Sequence, residues 1–264
     1  MLKDITLGQY FPGNSFMHKL DPRMKLLLTV LYVVALFMVS RFFGFAIVGA
    51  LIGLVILFSG ISLKVVLRGL KPLMFIVVFT AFFNLLYGGG DPIFPQIAWL
   101  SWLRTGGVRN ALFMILRIVL LILGTSYLTY TTSPVMLTDA LERVLRPLKV
   151  FHLPVHELAM MMTIALRFIP TLIDETDKII NAQKARGADF ETGNIARRAK
   201  ALIPILIPLL ISAFRRAEEL ADAMECRCYH GGEGRTRYKV YSFSWRDFVA
   251  LGLMVAVMIA IILI

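Results

Sequence analysis

Asp174-x-x-Asp177 and Glu218-x-x-x-Asp222 set pairs of carboxylates along one helix face, a spacing that can hold Mg²⁺ and a prenyl diphosphate and so points to a membrane prenyltransferase. The first pair has no Asn or further Asp beside it, and the second lies next to Arg215 and Arg216. A solvated face carrying i,i+4 ion pairs accounts better for both. Cys226-x-Cys228-x-His230 offers metal ligands, but residues two apart on a helix point away from each other and no fourth ligand is identifiable. Two small packing residues are the simpler reading of those cysteines. His18, His152, His156 and His230 stand in separate contexts with no nucleophile signature, and the Gly-rich loop with its Lys that cradles phosphates is absent from the sequence. The expectation is a non-catalytic chain with no metal site and no cofactor of its own.

A different chemistry occurs twice. Ala185-Arg186-Gly187 and Cys226-Arg227-Cys228 each place one arginine between two small residues at the end of a long helix. Alone, such an arginine is a partner for the helix dipole and its last carbonyls. Repeated, it reads as a docking tip. A guanidinium is always charged, offers a planar fork of donors, and with small neighbours can enter a groove on another protein. When the two arginines are aligned, Asp177 falls on Glu218 and Ala182 on Ala223.

The elements that must carry these tips lie between Thr131 and Trp245. Ser133-Pro134 opens an amphipathic helix that stops at Pro147. Pro154 opens a long helix through Met160, Met161, Met162, Arg167 and Pro170 to Ala185, and after a break over Gly187 to Asn194 another runs from Ile195 through Pro204 and Pro208 to Met224. Each long helix is apolar in one half and charged in the other. Pro204 and Pro208 share a face and each removes a backbone hydrogen bond, which predicts a bend. The three methionines are either core or a flexible surface that repacks against different partners.

The rest of the chain is apolar. Hydrophobic residues make up 58% and charged residues 17% of the 264, and mean hydropathy is +0.75, too greasy for a water-soluble domain. The fold class is therefore an all-α integral membrane protein. Leu26 to Ser40, Phe42 to Ser59, Pro72 to Tyr87 extended back to Lys64, Ala111 to Tyr130 and Phe248 to Ile264 read as spans. Lys19, Arg23 and Lys25, then Lys64, Arg68 and Lys71, then Arg143, Arg146 and Lys149 mark one side as cytoplasmic. The opposite loops carry Arg41 and the segment Gly88 to Gly107 with Asp91 and Arg104. This topology puts the N-terminus inside and the C-terminus outside, and it accounts for the net charge of +11 without nucleic acid. No cleavable leader pattern opens the sequence. Three regions are expected: residues 1–130 with four spans, 131–245 as a cytoplasmic or membrane-proximal coupling region, and 246–264 as a final span. Within the spans, Arg117 reads as a functional charge or a snorkelling one, and Asn84 as a helix-packing hydrogen bond.

The sequence resembles the transmembrane T component of energy-coupling factor (ECF) transporters over nearly its whole length. The resemblance rests on Leu20-Asp21-Pro22-Arg23-Met24-Lys25-Leu26, on Leu166-Arg167-Phe168-Ile169-Pro170, and on the paired arginine motifs. Ala185-Arg186-Gly187 matches the family's usual pattern; Cys226-Arg227-Cys228 departs from it at both flanks and gives up the backbone freedom of glycine. The resemblance implies an importer of vitamins or other micronutrients in the plasma membrane of a prokaryote. Its partners are two cytoplasmic ATPases, which bind ATP and Mg, and a membrane-embedded substrate-binding S component. It further implies that Arg186 and Arg227 dock into the ATPases, and that the apolar parts of the two long helices face the S component.

Overall fold

The computed structural model describes residues 10–87, 89, 105–188, 190, 194–232 and 241–263. Asp91 and Arg104, most of the segment 88–107, and residues 189 and 191–193 of the break after Gly187 lie outside the described residues. Every regular element among the described residues is helical: α1 (Pro22–Met38), α2 (Phe42–Ser59), α3 (Leu63–Leu70), α4 (Met74–Tyr87), α5 (Thr105–Thr131), α6 (Pro134–Leu145), α7 (Val155–Ala185), α8 (Ile195–Glu225) and α9 (Trp245–Leu263), with 3₁₀ turns at Lys71–Leu73 and Arg146–Phe151. Five helical segments are long and apolar enough to cross a membrane: α2, the run Lys64–Leu86, α5, α7 and α9. The protein is a multi-pass, all-α membrane protein. α1, at 17 residues, rises about 26 Å.

The chain divides into two compact units, one within residues 8–140 and 240–264, the other within 141–239. In the first of them α9 packs on α1 and α2, and Tyr32, Leu36, Val48, Ile52, Met254 and Ile261 share one core.

In the first unit α5 packs against α1, α2, α3 and α4. Gly124 lets α1 approach, since a Cβ there would lie 2.2 Å from Tyr32 Cε1. Tyr32 then donates its hydroxyl to the Leu120 carbonyl at 2.6 Å. Helix ends buried in a membrane protein need partners for their last carbonyls. Lys25, 7% exposed, donates to Thr131 O at 2.8 Å and Thr132 Oγ1 at 3.3 Å at the end of α5. Arg117 donates from Nη2 to Val39 O at 2.9 Å at the end of α1. That contact gives Arg117 a structural part at the end of α1. Asn84 donates to Thr80 O of its own helix at 2.9 Å. Phe75, Phe79, Phe82 and Phe83 line α4 as exposed aromatic rings on a membrane-spanning surface.

The family motif Asp21-Pro22-Arg23 is the start of α1. Asp21 caps the helix by accepting from Arg23 N at 2.9 Å, and Pro22 takes the first helical position, where no N–H is needed. The Asp21 N–H donates to Asp247 Oδ1 at 2.9 Å, while Asp247 Oδ2 accepts from Ser244 N at 2.7 Å. One buried carboxylate thus ties the first turn of α9 to the first turn of α1. Arg23 covers the joint, donating to Tyr241 O at 3.2 Å and lying over the Phe243 ring.

Candidate functional site

In the second unit α7 and α8, each 31 residues long, pair as an antiparallel hairpin. The register shows in contacts along its length. Gln183 Nε2 reaches Pro204 O at 3.5 Å, Glu175 accepts from Ser212 Oγ and from Arg216 Nη2 at 2.9 Å, and Met160 faces the segment Met224 to Gly231. Pro204, Pro208 and Pro170 sit inside helices that continue through them. Pro208 has no N–H to offer the Pro204 carbonyl, and Gln183 takes up that freed acceptor.

The two arginine tips end these helices with the same backbone geometry. After α7, Gly187 N donates to Lys184 O at 3.0 Å and Ala188 N to Gln183 O at 3.0 Å, with Gly187 at φ +87°. After α8, Cys228 N donates to Glu225 O at 2.8 Å and Tyr229 N to Met224 O at 3.0 Å, with Cys228 at φ +54°. This is one helix-ending motif built twice, with the arginine immediately before the left-handed residue. Cys228 therefore adopts the conformation that glycine would supply, and the second tip keeps the shape of the first despite its altered flanks. Ala185 closes α7, and Arg186, Gly187, Cys226, Arg227 and Cys228 are all exposed. Neither guanidinium has an ion-pair partner among the described residues.

Aligning the two helices by sequence conceals their direction. Because the pairing is antiparallel, the apolar half of α7 runs beside the charged half of α8, and the arginines stand at opposite ends. Arg227 lies by Met160, so the run of α7 from Met160 to Arg186 separates the tips by about 39 Å. A hollow of about 520 Å³ opens beside the second tip, lined by Met160, Met224, Arg227, Tyr229 and His230 among others. Met160 is half-buried there, whereas Met161 and Met162 are exposed, as are Arg167, Pro170, Pro204 and Pro208. Towards the other end of the hairpin, Leu202, Leu206, Leu210 and Phe214 of α8 are exposed as well. Asp21, Pro22 and Arg23 belong to the first unit and serve its helix start.

Among the described residues no three His, Cys, Asp or Glu side chains converge on a common point. The acidic pairs Asp174/Asp177 and Glu218/Asp222 thus form no such group, and Cys226, Cys228 and His230 form none either. Glu175 is instead the clasp between α7 and α8. A second contact, His156 Nδ1 to Glu142 Oε1 at 3.0 Å, anchors the start of α7, with Gly232 packed against the imidazole ring. Neither Glu175 nor Glu142 is marked by local sequence, since each partner lies at least one turn or loop away; Ser244-x-x-Asp247, by contrast, has the spacing of a capping box.

The family described as CbiQ, cobalt transport protein, matches residues 13–238. The chain belongs to the CbiQ family. Among curated relatives this CbiQ-family chain is 54% identical over 251 residues to the energy-coupling factor transporter transmembrane protein EcfT of Clostridium kluyveri, covering 95% of this chain and 93% of the relative. It is 52% identical over 263 residues to EcfT of Ruminiclostridium cellulolyticum, covering 100% and 98%, and 46% identical over 247 residues to EcfT of Bacillus subtilis, covering 94% and 93%. The resemblance to the T component is thereby shown, and the CbiQ-family chain is a transmembrane component of the ECF transporter type.

Proposed function

We propose that this chain is the coupling subunit of an ATP-driven importer for vitamins or other micronutrients in the plasma membrane of a prokaryote. Arg186 and Arg227 dock into two cytoplasmic ATPase subunits, which bind ATP and Mg. The α7–α8 hairpin carries their motion to a membrane-embedded S component through its exposed apolar side chains, Met161 and Met162 on α7 and Leu202, Leu206 and Phe214 on α8. The observation that carries this reading is the pair of exposed arginines, without an ion pair among the described residues, presented by the same helix-ending geometry at opposite ends of one hairpin. A lever needs two separated points of attachment, and a clasp such as Glu175–Arg216 keeps the arms from sliding. The N-terminus is cytoplasmic and the C-terminus external by the distribution of Lys and Arg.

The hairpin's antiparallel pairing makes the orientation decisive. α7 is long and apolar enough to cross a membrane. If it crossed, Arg186 and Arg227 would lie on opposite faces and could not both meet cytoplasmic ATPases. The proposal therefore has the hairpin lying along the cytoplasmic surface. In intact cells an impermeant thiol reagent should label Gly89→Cys, introduced without Cys226 and Cys228, and should spare both Ala188→Cys and the native Cys228. External labelling of one tip alone overturns the arrangement. Arg186→Ala with Arg227→Ala should abolish substrate uptake with the chain still inserted, and wild-type uptake by that double variant, normally assembled, ends the docking reading.

A further inference from the structure

The first unit holds a cavity of about 410 Å³ between α1, α2, α5 and α9, within the size range of small-molecule sites. Its back is buried side chains, among them Tyr32, Ile52 and Met254. Its lips are Leu54 and Phe58 on α2 and Trp245 and Val249 on α9, which are 38%, 57%, 67% and 53% exposed. α2 and α9 share the core through Val48, Ile52, Met254 and Ile261, then leave these lip residues uncovered, so the cavity opens sideways between two membrane-spanning helices. What lies outside such a mouth is hydrocarbon. A cavity walled by apolar groups does not hold water, so the chemistry that fits it is an acyl chain.

The polar end of the cavity selects the headgroup. Trp245 stands at this rim, the position tryptophan favours between hydrocarbon and headgroups. Arg246 is one turn before the cavity-lining Ala250 and so shares that face of α9, and Lys19 immediately precedes the cavity-lining Leu20. Neither Lys19 nor Arg246 has an ion pair among the described residues. Of the neighbouring charges, Lys25 is committed to Thr131 and Thr132, Asp21 and Asp247 to backbone N–H groups, and Arg23 to Tyr241 O and the Asp21 carboxylate. Lys19 and Arg246, without an ion pair among the described residues, thus stand next to and one turn from residues that line an acyl-sized opening. We propose that this is a phospholipid site, with one acyl chain of an anionic phospholipid between α2 and α9 and its phosphate at Lys19 and Arg246.

The test uses the full chain in bilayers, with Trp99→Phe and Trp102→Phe leaving Trp245 as the single fluorophore. Phosphatidylglycerol brominated on its acyl chain should quench Trp245 roughly threefold or more above the same mole fraction of brominated phosphatidylcholine, as expected when cations concentrate an anionic lipid. Lys19→Gln with Arg246→Gln should remove that preference. Ala250→Phe, and in lesser degree the smaller filler Ala250→Leu, should reduce quenching to the level of ordinary boundary lipid while circular dichroism stays unchanged. Equal quenching by both lipids, unmoved by either filler, overturns the proposal. So does loss of quenching when the partner subunits are bound, because the cavity is then a seat for protein.

Discussion

Cys228 holds a left-handed backbone conformation that costs an L side chain about 1–2 kcal/mol relative to glycine. Part of that cost is offset because glycine loses more freedom on folding. Cys228→Gly should therefore stabilise the hairpin by about 0.5–1 kcal/mol and leave uptake unchanged, since the arginine is presented identically. Cys228→Val should do the reverse, because a β-branched residue tolerates positive φ worst. Thermal unfolding of the purified variants checks both, and equal stability of all three would show that the turn relaxes when its residue changes. Asp247 is the other single residue on which much depends. Removing its carboxylate orphans two N–H groups, those of Asp21 and Ser244, at about 1–3 kcal/mol each. Asp247→Ala should lower the melting temperature more than Asp247→Asn, which retains one acceptor; equal effects would mean that water replaces the carboxylate.

Between helices, close approach decides more than hydrophobicity. A Cβ at Gly124 meets Tyr32 at 2.2 Å, whereas one at Gly49 or Gly53 meets nothing within 4 Å. Gly124→Ala should cost about 1–3 kcal/mol by forcing α1 from α5 or breaking the Tyr32–Leu120 hydrogen bond, and Gly49→Ala and Gly53→Ala should be neutral or slightly stabilising. Loss of thermal stability shared by all three would remove this packing argument. The same contrast explains what the sequence disclosed. Helix limits are local matters of caps, prolines and apolar run length, so α2 lies where the apolar pattern puts it, and α7 and α8 begin and end within a residue or two of their signals, whereas α5 starts six residues before the expected Ala111. Direction is not local. Matching Arg186 to Arg227 by sequence says nothing of whether α7 and α8 run together or opposed, and only pairings such as Glu175 with Arg216 reveal it. The capping-box spacing of Ser244 and Asp247 was legible; that Asp247 would also receive the N–H of Asp21, far away in sequence, was not.

For the whole molecule the consequence is a matter of distance. On the proposed docking one helix tip fills one groove, and the two tips are separated by about 39 Å along α7. A single small groove cannot reach both, so each tip should address its own ATPase copy. Two handles near the tips make this measurable. Native Cys228 immediately follows Arg227, and Ala188→Cys, in a chain lacking Cys226 and Cys228, lies two residues beyond Arg186. With partner cysteines placed in the docking groove of each ATPase, the two handles should preferentially capture different subunits. Within one chain that carries both handles no disulfide should form between them, because a disulfide requires Cα atoms closer than about 7 Å. An intramolecular disulfide would contradict the antiparallel hairpin itself. Equal capture of both ATPases by both handles would instead leave the hairpin standing and refute the assignment of one tip to one motor, even with both arginines essential for uptake.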